Sequence, residues 1–418
     1  MKKPVLSDYC EFLNGGAWNE SEYTKSGVPV LKVSNMKKGG FVFDSIDYLS
    51  IENAKNYSKN LLKKFDVVIA TVGSHPNLVD SAAGRATVIP KSISHYLLNQ
   101  NAVCLRSKNK EELNQRYLGY LAKSEHFQNY IQNRGKGAAN QMRIPIGDIK
   151  SYPSNLPTLS TQYKIAKILS AYDDLIENNI IRIKLLDEMA HTTYEDWFLR
   201  MKFPGYETAV FDKETGLPAG WKNFKVKNYV KTVSKGPSLN YDSDGQKYPV
   251  LNQSCIRNGE IELDKVLFSE KLSKNKQECY LEINDILINS MGQGTLGRVS
   301  KNVSIVEKFI IHNCITFLRA KNEYSQFMLF YFIASHKPYF ESIAQGSTGQ
   351  STLKIELVSN LKLKLPTKEI LNRFDKIISP IWKNIGVLKI QNQRLKEARD
   401  ILLPRLMTGM IDVEKLEL

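Results

Sequence analysis

Apolar and polar positions along the chain follow two rhythms, and each rhythm occurs twice. Short β-branched or alternating runs broken by Gly and Asn, such as "FDVVIATVG" (65–73), predict strands and tight turns over roughly the first 150 residues. From 158 to 197 Gly and Pro are absent, and the seam steps by three and four through Ile165, Leu169, Tyr172, Ile176, Asn179, Ile183, Leu186, Ala190, Thr193 and Trp197. That spacing predicts one long helix of about 60 Å, at about 1.5 Å per residue. Strand-like runs resume after 221, and a second stepped run follows: Ile370, Phe374, Ile377, Ile381, Asn384, Leu388, Gln391, Leu395, Ala398, Leu402. Pro380 inside it predicts a kink or restart, and Pro404 and Gly409 mark its end. Two apolar stripes, each after an equivalent globule, are most economically buried against one another as an antiparallel pair. Asn179 and Asn384 are expected to set its register.

The alternation is a true repeat. "VPVLKVSNMKKGGF" (28–41) resembles "YPVLNQSCIRNGEI" (248–261), and "FDVVIATVG" resembles "NDILINSMG" (284–292). "NQNAVCLR" resembles "IHNCITFLR", and "GAANQMRIPIGDIKSYPSNLPT" (137–158) matches "GSTGQSTLKIELVSNLKLKLPT" (346–367) at a constant offset. The expected segments are therefore a first globule (1–155), a central helix (156–204), a second globule with its lead-in linker (205–365) and a closing helix with a tail (366–418). The fold class is α/β: two repeated globules separated by paired long antiparallel, coiled-coil-like helices, with pseudo-two-fold symmetry.

The repeat disposes of one tempting motif. Gly292-x-Gly294-x-x-Gly297 has the glycine spacing of a dinucleotide-binding turn, which requires a helix after the last glycine. Here "RVSKNVSIVEKF" follows, alternating and β-branched, and the first copy has "GSHPNLVDSAAGR" instead. A hairpin turn is expected.

Charge points to the partner. Residues 1–155 carry 21 Lys and Arg against 13 Asp and Glu, and residues 221–365 carry 20 against 13. The long segments are 7 against 10 and 10 against 7, so the whole excess lies in the two globules. Paired basic blocks fit a polyanion held at two places. Cys10, Cys104, Cys255, Cys279 and Cys314 form no C-x-x-C pair, which favours buried free thiols in a reducing cytoplasm over zinc or disulfides. The start "MKKPVLSDYCEFL" has no apolar run of a signal peptide, and "FMLFYFIA" (327–334) is too short to span a bilayer. The six histidines fall in no metal spacing. Asp173-Asp174 and Asp187-Glu188 are sequence neighbours on a helix, so they diverge and are expected to be solvated or partner-facing rather than an acid–base pair. No catalytic residue and no metal site are expected.

The repeat, the neutral helix after each copy, and Gly137–Gln141…Leu156-Pro157 with Gly346–Gln350…Leu365-Pro366 together resemble the DNA-specificity subunit of type I restriction–modification systems. So do "GLPAGWK" (216–222), which opens the second copy, and "RLKEARDILLPRLMTGMI" (394–411). The first copy has no such lead-in. The resemblance implies two target-recognition domains, each reading half of a split, asymmetric double-stranded DNA site, with the helices as a ruler for the gap. It also implies two docked methyltransferase subunits that carry S-adenosylmethionine and flip the target adenine. An endonuclease/translocase subunit with ATP and Mg can join, and the specificity subunit itself is non-catalytic, holds no cofactor and is cytoplasmic. A modification-only version and a two-headed scaffold for an acidic protein are the alternatives.

Asn and Gln suit adenine edges, whereas Arg and Lys suit guanine or phosphate. The DNA-binding candidates in the first copy are Arg134, Lys136, Asn140, Gln141 and Arg143, with Ser74, His75, Asn77 and Arg85 near the hairpin tip. In the second copy they are Gln345, Ser347, Thr348, Gln350 and Lys354, with Ser290, Gln293 and Arg298. Two readers of different sequences should share structural or phosphate-binding residues and differ where bases are read. Gln141 with Gln350 and Arg85 with Arg298 are the shared pairs. Positions 74–82 against 293–295, and 134–140 against 345–349, are the base-reading expectation.

Overall fold

Val67–Ala70 is buried at every position, so this four-residue strand belongs in the interior of a sheet. Its neighbours are antiparallel on both sides: Ala102–Ser107 on one and Ala86–Val88 on the other, with Cys10–Asn14 beyond Ala102–Ser107. The second copy builds the same four-stranded sheet in the same order from Val230–Lys235, Ile315–Ala320, Ile286–Asn289 and Val299–Lys301. The computed structural model describes residues 3–417 apart from 38–39, 42, 44–45, 75–81, 139–140, 240, 242–246, 258, 271–278, 293 and 346–351. The hairpin expectation for the glycine motif holds. Ile286 pairs with Lys301 and Ile288 with Val299, and Gly292, Gly294 and Gly297 sit at φ +108°, +72° and +83°. A Cβ on Gly297 would come within 2.8 Å of Phe340 Cβ, so this glycine is fixed by close packing as well as by its backbone.

The described residues form two compact units, 1–178 with 393–418, and 179–392. Each long helix therefore contributes to both. The first helix spans Leu159–Tyr194 and the second Lys368–Met407. In the first unit Asp173 meets Arg399; in the second, Asn179 meets Gln391 and Asn392, and Phe198 packs on Phe374. Partner numbers fall as the others rise, so the helices run antiparallel.

The seam of the first helix follows the expected positions, with Ile165, Leu169, Ile176, Asn179, Ala190 and Trp197 buried. That of the second helix does not. Phe374, Ile378, Ile381, Ile385, Leu388 and Asn392 are buried, whereas Ile377 is 37% exposed and Asn384 and Gln391 are exposed. The steps alternate four-three instead of three-four, which turns Ile378 and Ile385 inward and leaves Asn384 in water. Nor does Pro380 interrupt this helix. A proline costs about 3 kcal/mol in a helix interior. Burying Ile378, Ile381 and Trp382 around it, at about 1.5–3 kcal/mol each, outweighs that. The end is as expected: Thr408 N donates to Pro404 O, and Gly409 adopts φ +75°.

Candidate nucleic-acid interface

Each sheet is locked to the helix after it by the same buried polar clamp. In the first unit Phe65 takes φ +69°, and Asp66 accepts two bonds from Arg106, Nε to Oδ1 and Nη2 to Oδ2, both at 2.7 Å. In the second, Asn284 takes φ +69°, and Asp285 accepts from Arg319 at 2.7 and 2.9 Å. The spare Nη2 bond goes to Leu61 O (2.8 Å) and Tyr280 O (2.6 Å) respectively. Gln115 Nε2 donates to Phe65 O at 2.8 Å, as Gln326 Nε2 does to Asn284 O at 2.9 Å. Sequence reasoning missed the clamp, although Asp66 with Asp285 and Arg106 with Arg319 stand in the segments that define the repeat. A shared buried pair holds shape, so specificity has to lie in what the frame carries.

What it carries is launched from the same point in both units. Ile144 N donates to Thr71 O and Leu353 N to Ser290 O, each at 2.9 Å. Gly84 N bonds Ala70 O and Gly297 N bonds Asn289 O. In the first unit this brings two of the expected segments together. Lys136–Ala138 and Gln141–Arg143 form a hairpin whose second strand pairs with Val72–Gly73, next to Ser74. Lys136 lies opposite Arg143, and Met142 lies opposite Gly137 and Gly73. Opposed residues share a face. Met142 is 3% exposed and belongs to the core, so the other face, with exposed Lys136 and Arg143, is turned to solvent. That face offers donors suited to phosphate oxygens or the N7 and O6 of guanine.

The remaining expected residues are scattered by role. Arg134 is exposed, its guanidinium 3.6 Å from the Tyr130 ring centroid and Nη1 on Tyr130 O at 3.1 Å. Ser74 is half-buried. The matched arginines each donate to a main-chain carbonyl: Arg85 Nη1 to Met36 O at 2.5 Å, and Arg298 Nη2 to Gly294 O at 3.2 Å. Lys354 is exposed at the start of the Ile355–Asn360 helix. Ser290 is fully buried, its hydroxyl 2.5 Å from Thr316 Oγ1. It is part of the core and cannot face a duplex, which corrects its expected placement. Gln141 and Gln345 are described in backbone only, and His75, Asn77, Asn140, Gln293, Ser347, Thr348 and Gln350 lie outside the described residues.

All five cysteines are buried free thiols, and burial pushes Cys10 up to about 12 and Cys314 to about 11. Asp173 and Asp174 diverge to different partners: Asp173, with its side chain 30% exposed, accepts from Tyr120 Oη (2.8 Å) and Arg399 (2.6 Å), and Asp174, 51% exposed, accepts from Arg116 (2.7 and 2.8 Å). Among the described residues no His, Cys, Asp or Glu cluster is placed to hold a metal, and no helix is long and apolar enough to cross a membrane.

A sheet frame built twice, unlike segments carried on it and two antiparallel long helices define a duplicated binding protein. The chain belongs to the type I restriction modification DNA specificity domain family, which it matches twice, over residues 2–185 and 218–398. It is 26% identical over 309 residues to the type I restriction enzyme MjaIX specificity subunit of Methanocaldococcus jannaschii, covering 72% of this chain and 70% of that one. With the MjaVIII specificity subunit of the same organism it shares 25% identity over 414 residues, 94% and 92% of the two chains. The crystal structure of the type I restriction–modification system S subunit from M. genitalium matches with a TM-score of 0.52 at 16% identity, over 97% of this chain and 95% of that chain. That likeness is one of fold.

Proposed function

We propose that this chain is the sequence-reading subunit of a type I restriction–modification complex. Each unit reads one half of a split, asymmetric site in double-stranded DNA, and the paired helices set the gap. The observation that carries this reading is the repeated frame: identical Asp–Arg–Gln clamps present segments that differ between copies, as two readers of unlike half-sites require. The basic face of Lys136 and Arg143 is the first unit's contact surface.

The helices also dock two methyltransferase subunits. Ile180, Ile181, Leu185 and Met189 on the first helix are 48–58% exposed, and Val387 and Ile390 on the second are 55% and 43% exposed. Apolar residues at this density on exposed helix faces favour burial by a partner. The partners supply S-adenosylmethionine, and an endonuclease subunit ATP and Mg; this chain positions them in the cytoplasm and catalyses nothing. Mapping methylated adenines in the source genome with and without this gene tests the reading. Disappearance of one two-part motif is the expected result, and an unchanged methylation map would sink it. A two-headed scaffold for an acidic protein predicts no split-site gel shift with methyltransferase subunit present.

A further inference from the structure

Between Ile176 and Ala190 the first long helix buries one side chain, and it is polar: Asn179, 1% exposed. Its Nδ2 donates to Asn392 Oδ1 at 2.9 Å and to Gln391 Oε1 at 3.1 Å, and Asn392 is itself 7% exposed. Asn179 Oδ1 is buried with no hydrogen-bond partner among the described residues. Such a layer gives up stability that leucines would supply. Asn179 and Asn392 are the first and last residues of the second compact unit, 179–392. The flanking seam residues Ile176 and Leu388 are apolar, so they do not by themselves distinguish one register from the next.

We propose that the Asn179–Asn392 layer, capped at its edge by Gln391, is the register pin of the helix pair and thereby fixes the permitted gap between half-sites. Sliding either helix by about one turn brings Leu388 or Leu395 opposite Asn179, and the buried amide then loses both acceptors. Leucine at both positions accepts neighbouring registers equally. The proposal rests on the DNA-reading function above and names the residues that make the ruler exact.

The test uses the full chain assembled with its methyltransferase subunits, on duplexes bearing the mapped half-sites at the natural gap and at gaps one pair longer or shorter. For the wild-type complex the off-length duplexes are expected to bind at least about tenfold more weakly, the scale of one buried polar mismatch. In Asn179→Leu/Asn392→Leu that ratio collapses towards one, thermal stability is equal or higher, and discrimination against a base change inside a half-site is unchanged. Adding Leu186→Asn and Ile385→Asn, which moves the layer one heptad along, restores the ratio at the natural gap. A folded double-leucine chain that keeps the wild-type gap ratio overturns the pin, as does a folded relocated variant that fails to restore it. If the double variant does not fold, Asn179→Leu alone is assayed the same way, and an unchanged ratio is equally fatal. A wild-type complex with no split-site preference refutes the DNA-reading function instead.

Discussion

The two units share a frame but grip the long helix that follows each frame by different chemistry, the first helix in one and the second in the other. In the first unit, Arg116 and Tyr120 reach Asp174 and Asp173, and Arg399 of the second helix joins Asp173. In the second, the positions matching Arg116 and Tyr120 are Phe327 and Tyr331, which pack edge-on against Trp382, and Tyr331 Oη accepts from Trp382 Nε1 at 3.0 Å. A lysine completes that cluster. Lys301 is 5% exposed, its ammonium 4.4 Å from the Phe330 ring and 4.9 Å from that of Trp382, and it pairs with Asp187 on the first helix. At the matching place in the first unit Val88 lies against Gly119, where a Cβ would come within 2.7 Å of Val88 Cγ2. One duplicated fold thus sustains an ionic attachment and an aromatic one, because the clamp keeps the sheet and leaves the helix-facing surface free to diverge.

The largest expected effect tests the shared frame. Arg319→Ala leaves Asp285, whose side chain is 1% exposed, charged without its partner, and should cost the second unit about 3–5 kcal/mol in denaturant unfolding. Arg106→Ala should cost the first unit less, since the Arg106 side chain is 18% exposed and water can reach the gap. Equal losses would show that water access at Arg106 does not matter. Next in size, Arg143→Ala tests what the frame carries. A base contact predicts a loss of about 1–3 kcal/mol confined to one position of one half-site. A phosphate contact instead predicts uniform weakening and a salt slope shallower by about one. Unchanged binding by fluorescence anisotropy removes Arg143 from the interface.

Smaller effects sharpen the contrast in attachment. Tyr331→Phe and Tyr120→Phe should each lower stability by about 1 kcal/mol through one lost bond. Salt should change the Tyr120 loss and hardly touch the Tyr331 loss, because only Asp173 is charged. Lys301→Met should shift stability at neutral pH by less than about 1 kcal/mol, since methionine keeps the ring contacts and Asp187 is half-exposed. The sign appears in the pH dependence. Burial lowers the Lys301 pKa below 10.5, so the folded state releases that proton before the unfolded chain does. Stability conferred by this site therefore rises with pH between the folded value and 10.5. The difference between wild type and Lys301→Met, followed by thermal melts over that window, should move in favour of wild type as pH rises.

Much of this was legible in the chain. The repeat, the hairpin after Gly297 and the seam through Ile176 and Asn179 follow from period and turn chemistry, which are local properties. The second seam was harder because Ile377 and Ile378 are both isoleucine, and only the covering surface decides which turns inward. Sequence likewise flagged Pro380 as a break, and burial of Trp382 and its neighbours overrode it. The clamp went unseen since Asp66 and Arg106 lie 40 positions apart, joined only through strand pairing. Ser290 looked like a polar loop residue, and Thr316 across the sheet gives its hydroxyl an interior partner.

Leu6 and Val413 share one core, roughly four hundred residues apart along the chain, whereas the second unit is built from the unbroken stretch 179–392. During synthesis the later-encoded unit has all its parts before the earlier one does. Until Leu406 and Val413 emerge from the ribosome, the nascent first unit waits with an open apolar flank, which is the stage at which chaperone capture or aggregation would intervene.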